Sequence, residues 1–340
     1  MIVNGTHSIT CCLFDDPLLS YLLPPVLITV FILGFTFNGI ALWVFSCHMK
    51  TWTSSTVYLV NLAVADSLLL ICLPFRTDYY LREKNWIFGE IPCRLLLFML
   101  AMNRAGSIFF LTLVALDRYF RVVYPHHRIN AISIKTATCI VCAVWLGTIS
   151  LTVFILTNGR QRSKNASNNT YYCDSFTVCP TNINYHDLLF ILVFFLPQIL
   201  VFYCSYMIVW RLRKRNLDRH SKIKRAVQCI VLVGIVFTVC FLPSVSTRIE
   251  ILRLLTTPQG SKCSSYQSVD RAFYITITFT YMNSVCNPLV YYFSSPAFQA
   301  FYLKIMRCPQ YSESESEMDQ PNDAPITIPN SSSQLADRID

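Results

Sequence analysis

Seven long apolar stretches constrain this chain more than any other feature of its sequence. A helix needs roughly 20 mostly apolar residues to cross a bilayer, and the stretches that meet this length are 22–47, 57–81, 92–120, 136–157, 187–211, 226–255 and 268–293. Only 14% of the residues are charged, against about a quarter in soluble domains. Because lipid offers no partner for backbone N–H and C=O groups, we expect an all-α membrane protein whose seven-transmembrane helix bundle covers residues 22–293.

The charged loops predict how this bundle is oriented. Basic residues are concentrated after the third and fifth stretches, as in Arg211–Arg225. Because cytoplasmic loops carry the excess of Lys and Arg, residues 1–21 are predicted to be an extracellular N-terminus of a multi-pass plasma-membrane protein. Glycosylation sequons on the predicted outer side begin at Asn4, Asn165 and Asn168. Membrane orientation accounts for the net charge of +9, so nucleic acid is not an expected partner.

The C-terminal part of the chain predicts two further segments. Residues 294–308 carry apolar side chains at spacings of three and four, which indicates a short amphipathic helix on the inner membrane surface. Membrane lipid is therefore an expected partner. Residues 309–340 are rich in Ser, Asp, Pro and Asn, and we expect them to form a disordered cytoplasmic tail because such a composition buries little apolar surface.

Polar residues in the apolar stretches predict a site in the middle of the bundle. Asp66 lies within the second stretch, Asn103 and Ser107 lie one turn apart in the third, and Asn283, Ser284 and Asn287 lie in the seventh. An isolated buried carboxylate requires a proton or a cation, and hard oxygen ligands suit a small monovalent cation. The alternative is a hydrogen-bond network that ties the helices together. No other cofactor and no other metal is expected.

Arg104, in the outer half of the third stretch, is the residue that most constrains the charge of a ligand. Its guanidinium cannot lose its proton, and a charge at this depth is costly, so it requires an anion. Arg76 and Arg248 lie near the outer ends of the second and sixth stretches. Three cations around one cavity indicate an acidic ligand, most simply a carboxylate held by a bidentate pair. The alternative is pairing within a helix, with Asp78 and Glu250 respectively.

The sequence argues against two other classes of function. A transporter or channel would be expected to have repeated halves or a file of ionisable residues through the membrane, and the sequence has neither. An enzyme would be expected to have metal ligands or a nucleophile with its base, and no such motif occurs. We therefore expect that the chain is not an enzyme.

Motifs in successive stretches resemble the rhodopsin-like G-protein-coupled receptors across residues 20–308. They are Asn38, Asp66, Asp117-Arg118-Tyr119, Trp145, Pro197, Pro243 and Asn287-Pro288-Leu289-Val290-Tyr291. The resemblance implies that Asp66, Asn103, Ser107, Asn283 and Asn287 form a sodium pocket. It also implies that Asp117, Arg118 and Tyr119 couple to the G protein, and that Pro243, Asn287, Pro288 and Tyr291 belong to the activation motifs. Two departures are Phe241, where these receptors usually have Trp, and Ser205, where they often have Tyr.

Longer strings resemble the hydroxycarboxylic acid receptors within this class. The strings include Ala101–Ser107, Cys240–Val245 and Phe279–Ser284, and Leu73–Tyr80 resembles the lactate-sensing member in particular. The resemblance implies a small hydroxy-monocarboxylic acid ligand, such as lactate or 3-hydroxybutyrate, and coupling to the inhibitory G protein. The ligand-binding residues that it implies are Arg104, Arg76, Arg248, Ser175, Phe176 and Tyr281. The related oxoeicosanoid receptor, for an oxidised fatty acid, shares much of the pattern and is the alternative.

The resemblance also bears on the cysteines and the tail. Six cysteines in the predicted outer segments indicate disulfides, but the residues alone leave all 15 pairings open. The hydroxycarboxylic acid receptors imply the pairs Cys93–Cys173, Cys11–Cys179 and Cys12–Cys263. Asn287 departs from this family, which has Asp there. In a receptor of this class, phosphorylation of Ser312, Ser314 and Ser316 would create an anionic strip for an arrestin-like partner.

Overall fold

The computed structural model describes residues 16–49, 52–157, 161–165, 170–174, 185–215, 221–256 and 263–306. The long helices, which we call spans 1 to 7, are Pro17–Cys47, Ser54–Leu81, Glu90–Val123, Ile134–Thr152, Tyr185–Arg215, Ser221–Thr256 and Cys263–Ser294. A 3-10 helix, Arg128–Ala131, precedes span 4, and a short helix, Phe154–Thr157, follows it. The predicted seven-helix bundle is confirmed, and most of the helices extend a few residues beyond the apolar stretches.

Local signals fix where several spans begin. Asp16 caps span 1 by accepting a hydrogen bond from the Leu18 N–H at 3.1 Å, and Pro17 occupies the first helical position, where a missing N–H costs nothing. Thr53 caps span 2 in the same way. Gly89 precedes span 3 with φ of 87°, a left-handed conformation that favours glycine.

Span 3 contacts spans from both halves of the chain. Span 1 packs against spans 2 and 7, and spans 5, 6 and 7 pack in sequence. Span 3 packs against spans 2, 4, 5 and 6. Residues at successive depths of span 3 therefore face the interior of the bundle from its outer to its inner end.

The side chains that point away from the helix bundle are suited to contact with lipid. Six of the described helices are long and apolar enough to cross a membrane, and large apolar side chains such as Phe35, Leu146 and Leu196 are 65%, 68% and 66% exposed. Such extensive exposure of apolar side chains would be a liability in water. Span 7 is not among the six; it carries charged residues such as Asp270 and Arg271, and it packs against spans 1, 2 and 6.

A β-hairpin is held at the outer end of the bundle, which is the end that carries Asp16 and Trp86. Its strands are β1, Gln161–Asn165, and β2, Thr170–Cys173, which pair antiparallel with Gln161 opposite Cys173. A disulfide joins Cys173 to Cys93 in span 3, with a Cα–Cα distance of 5.8 Å, so this predicted pair is confirmed. The predicted pairs Cys11–Cys179 and Cys12–Cys263 involve side chains that the structure does not describe. Asn4 and Asn168 also lie outside the described residues.

The last element that the structure describes is the helix Pro296–Met306. It confirms the short helix that was predicted after span 7, within residues 294–308. Phe298 is buried, with its ring centroid 5.1 Å from that of Phe45 and 5.8 Å from that of Tyr291. The chain divides into two units, residues 1–299 and 300–340; in the second, residues 300–306 are described, as the end of this helix. The predicted tail, residues 309–340, lies outside the described part.

Candidate ligand-binding site

A cavity opens between spans 3, 4, 5 and 6 in the outer half of the bundle. It encloses about 550 Å³ of empty space, including the part that is open to solvent. Aromatic residues such as Phe154, Phe190 and Phe241 form much of its wall. Ligand sites usually combine such an apolar wall with a few well-placed polar groups. Among the described residues, the polar side chains of this lining are Arg104, Thr152 and Ser244, so Arg104 is the one charged residue in the described part of the lining.

Arg104 presents a fixed positive charge to this cavity. Its guanidinium carbon lies 4.8 Å from the centroid of the Phe190 ring, a cation–π contact that orients the group. Its Nε is buried and donates no hydrogen bond to any residue that the structure describes. Within the part of the chain that the structure describes, no carboxylate lies within ion-pair distance of it. The arrangement suits an anion supplied from outside the described residues.

Arg76, by contrast, is bonded to the β-hairpin. It is 2% exposed, and its Nη1 donates to the Cys173 carbonyl at 2.6 Å. Its Nη2 donates to the Tyr80 hydroxyl at 3.2 Å and lies 3.4 Å from Asp174 Oδ1. Arg76 therefore ties span 2 to the disulfide-bonded end of β2, and Asp174 balances its charge.

Arg248 is also paired with a carboxylate from another element. Its Nε and Nη2 donate to Asp187 Oδ1 at 2.9 and 2.7 Å, and the side chains of the two residues are 3% and 2% exposed. This bond connects the outer end of span 6 to that of span 5. The near neighbour Glu250 pairs instead with Arg253.

The three arginines therefore have different surroundings. Pairing within the helix, the alternative weighed from the sequence, does not occur for Arg76 or Arg248, since Asp78 pairs with Arg82 and the actual partners are Asp174 and Asp187. Tyr281, at 3% exposure, is an electrostatic neighbour of both Arg104 and Arg76. The ligand-binding roles of these residues stay predictions. Ser175 and Phe176 lie outside the described residues.

A second group of polar side chains surrounds Asp66 at the centre of the bundle. Asp66 is fully buried and accepts hydrogen bonds from Ser284 Oγ at 2.6 Å and from Asn287 Nδ2 at 2.8 Å. Asn103 Nδ2 and Ser107 Oγ donate to it at 3.3 and 3.4 Å. The structure thus brings four of the five predicted pocket residues together and adds Ser284.

Unpaired polar atoms remain beside this network. Both side-chain amide atoms of Asn283, and Oδ1 of Asn287, are buried without a hydrogen-bond partner among the described residues. A buried polar atom without a partner costs about 1–3 kcal/mol. Two of the three atoms are oxygens. Asn287 itself donates to Asp66, and Asn283 lies one helical turn before Asn287, so the residues present fit a small hard cation.

The inner end of the bundle, which carries Asp117 and Arg118, holds an ion-pair cluster. Arg118 Nη2 lies 3.1 Å from Asp117 Oδ2, and Arg121 Nε lies 2.9 Å from the same oxygen. Ser54 and Ser55 of span 2 donate to Asp117 at 3.3 and 2.6 Å. The Asp117 side chain is 10% exposed, so one partly shielded carboxylate holds two arginines and the start of span 2 together.

The remaining motif residues connect the central and inner groups. The Tyr291 hydroxyl of span 7 donates to Asn38 Oδ1 at 3.3 Å and lies 3.5 Å from Asp66 Oδ2. Tyr119 is 7% exposed and packs 6.0 Å, centroid to centroid, from Tyr203 of span 5. Prolines lie inside spans 6 and 7, at Pro243 and Pro288. Each of these prolines lacks the N–H that would bond to the preceding turn of its helix.

Sequence reasoning missed several residues of these sites. Asp174 and Asp187, the partners of two arginines, were not identified, and neither were Ser54 and Ser55. A carboxylate at the start of an apolar stretch, as at Asp187, was a signal that could have been followed. The aromatic cavity wall has no sequence signal of its own, because an aromatic residue in a membrane helix is as often turned to lipid.

Known proteins match the chain over most of its length. Residues 37–291 match the family described as 7 transmembrane receptor (rhodopsin family). Hydroxycarboxylic acid receptor 2 of Homo sapiens is 54% identical over 301 residues, which cover 88% of this chain and 82% of the relative. Hydroxycarboxylic acid receptor 1 of Homo sapiens is 50% identical over 321 residues, covering 94% and 90%.

The alternative relative is more distant. Oxoeicosanoid receptor 1 of Homo sapiens is 36% identical over 299 residues, which cover 87% of this chain and 75% of the relative. The identities of 54% and 50% differ too little to single out one hydroxycarboxylic acid receptor. The chain belongs to the rhodopsin family of seven-transmembrane receptors, which are not enzymes, and within that family to the hydroxycarboxylic acid receptors.

Proposed function

We propose that the chain is a plasma-membrane receptor for a small hydroxy-monocarboxylic acid, of the lactate or 3-hydroxybutyrate type, that lowers cAMP through the inhibitory G protein. The observation that carries the proposal is the position of Arg104, which is the one charged side chain that the described residues contribute to a largely apolar cavity wall. Relatives named for hydroxycarboxylic acids at 54% and 50% identity support the same ligand class.

The cavity offers a separate partner for each part of such a ligand. The carboxylate binds the Arg104 guanidinium, whose planar fork matches it. The Ser244 hydroxyl donates to the Phe241 carbonyl at 2.9 Å, so its oxygen is available to accept a hydrogen bond from the ligand's hydroxyl. The ligand's short carbon chain lies against aromatic side chains such as Phe190.

Signalling then follows from the ion-pair cluster at the inner end. Asp117 Oδ2 lies 3.1 Å from Arg118 Nη2. This ion pair keeps Arg118 in place in the resting receptor. Span 6 packs against span 3, and its Cys229 lies near enough to Arg118 to feel the charge of that arginine. Ligand binding favours a second arrangement, in which span 6 moves and Arg118 meets the G protein. Such a two-state element is of the kind that switches use.

Two further partners belong to the proposal. The phosphorylated tail recruits an arrestin-like partner, and the C-terminal helix binds lipid.

The test is a screen for inhibition of cAMP formation in cells that express the full-length chain. Lactate and 3-hydroxybutyrate are expected to lower cAMP at micromolar to millimolar concentrations, since a ligand with so few atoms gains at most about 1.5 kcal/mol per heavy atom. Pertussis toxin is expected to remove the response. A response to an oxo-fatty acid alone would favour the oxoeicosanoid alternative, and a toxin-insensitive rise in cAMP would refute the coupling.

The Asp66 group is proposed to bind a sodium ion that stabilises the resting receptor. A ligand that binds only the folded state at about 10 to 100 times its Kd adds about 1.4–2.7 kcal/mol of stability. We therefore expect purified receptor to unfold at a higher temperature in sodium chloride than in potassium chloride at equal ionic strength. Asp66→Asn should remove this difference, and Asn287→Asp should enlarge it by adding a second carboxylate. An unchanged difference in Asp66→Asn would refute the sodium site.

A further inference from the structure

The Asp187–Arg248 ion pair lies at the outer rim of the Arg104 cavity. Arg248 follows the cavity residue Ser244 by four positions, and Asp187 precedes the cavity residue Phe190 by three. Helix residues three or four apart lie on one face, one turn or about 5.4 Å apart along the axis. The pair is therefore one turn further out than the layer in which Phe190 contacts Arg104.

The charges of this rim cancel each other inside the protein. Both Arg248 nitrogens donate to one oxygen of Asp187, and both side chains are shielded from solvent, at 3% and 2% exposure. Salt and water screen such a pair little. An additional carboxylate brought to the rim would meet the negative charge of Asp187 or would have to displace it. Displacement would break the bonds that Arg248 makes to Asp187 at 2.9 and 2.7 Å, and breaking a buried ion pair is strongly unfavourable.

We propose that the Asp187–Arg248 pair determines specificity by restricting the site to acids with a single negative charge. The inference rests on the proposed function, because Arg104 must hold the ligand's first carboxylate for a second one to reach the rim. A diacid of four or five carbons has about the length of one helical turn. Its second carboxylate would then lie beside Asp187.

Two matched acids test this directly. Malate is 3-hydroxybutyrate with its terminal methyl group replaced by a carboxylate, so the pair differs in one charge at one end. Full-length receptor in cells is assayed for inhibition of cAMP formation by each acid. Like charges brought together cost several kcal/mol and each tenfold is about 1.4 kcal/mol, so malate is expected to be roughly 30-fold weaker or worse in the wild type.

Two variants should move the malate to 3-hydroxybutyrate potency ratio in opposite directions. Asp187→Asn is expected to bring malate to within about threefold of 3-hydroxybutyrate, on the same fold-per-energy scale, because Arg248 then binds the second carboxylate. Arg248→Gln is expected to weaken malate further, because it removes the positive charge that lies 2.7 Å from the Asp187 carboxylate. General damage to folding would lower both potencies and leave their ratio unchanged. Glu250→Gln, which removes a carboxylate from an exposed pair on the same span, is the control and should not alter the ratio.

Each outcome decides something definite. Equal potency of malate and 3-hydroxybutyrate in the wild type, or an unaltered ratio in surface-expressed Asp187→Asn, overturns the inference and leaves the proposed function intact. If Asp187→Asn does not reach the surface, the Arg248→Gln ratio decides. No response to any hydroxy-monocarboxylic acid would overturn the proposed function, and this inference with it.

Discussion

Arg104→Ala is expected to abolish the response to a small hydroxy acid. Removing one partner of a buried charge pair typically costs about 2–5 kcal/mol, and each 1.4 kcal/mol is about tenfold in affinity, so potency should fall roughly 30-fold or more. A ligand that starts at micromolar to millimolar potency has little reserve. The loss should therefore appear complete in a cAMP assay on cells with normal surface expression.

Two further substitutions make this result specific to the guanidinium. Arg104→Lys keeps the charge but lacks the planar fork, so it should fail nearly as badly. Arg82→Ala removes an arginine whose side chain is 49% exposed and paired with the exposed carboxylate of Asp78, and it should leave potency unchanged. Wild-type potency in surface-expressed Arg104→Ala would mean that the cavity does not hold the ligand's carboxylate.

The size of the Arg104→Ala effect also separates the two ligand classes. A short acid depends on its carboxylate for most of its binding energy. An oxidised fatty acid would bury a long chain against apolar side chains, at about 25 cal/mol per Å², and would keep part of its affinity. Complete loss for lactate or 3-hydroxybutyrate, beside partial loss for an oxo-fatty acid, is the result expected of a hydroxy-acid receptor.

Much of the bundle could be predicted because the bilayer leaves few alternatives. Membrane thickness sets the length of each span, and lipid excludes unpaired backbone groups. The apolar stretches therefore located the helices, although span 7 carries charged residues and is not among the six most apolar helices. The Asp66 group could be predicted because few polar residues occur at that depth and each must find a partner. The Cys93–Cys173 bond, however, came from the resemblance and not from the spacing of the cysteines.

The partners of the arginines could not be predicted, for a geometric reason. Helix periodicity says which residues share a face, but not how far each span is rotated toward its neighbour. Arg248 therefore pairs with Asp187, 61 positions away, and not with Glu250 on its own helix. Arg76 meets Asp174, 98 positions away, because the disulfide places the end of β2 over span 2. Both contacts depend on tertiary packing, which no local pattern encodes.

The second large effect is expected at the inner end, where Asp117→Asn should make the receptor signal without ligand. The carboxylate of Asp117 forms ion pairs with Arg118 and Arg121 and accepts hydrogen bonds from two serines of span 2. Asparagine removes the charge that holds Arg118, and the side chain is only 10% exposed, so solvent does not replace the interaction. A loss of about 1–2 kcal/mol from the resting state changes the ratio of resting to active receptor by a factor of about 5–30.

Basal inhibition of cAMP formation, measured without ligand and scaled to surface expression, is the readout. It should rise several-fold in Asp117→Asn and return to background with pertussis toxin, since the extra signal comes from the G protein. Asp117→Glu, which keeps the charge, should raise it much less. Glu90→Gln is the matched control, because Glu90 also pairs with an arginine four residues later in span 3 but lies at the outer end. Asp117→Asn removes the negative charge of the Asp117–Arg118 pair directly. Basal signalling equal to wild type in this variant would therefore show that the pair does not stabilise the resting state.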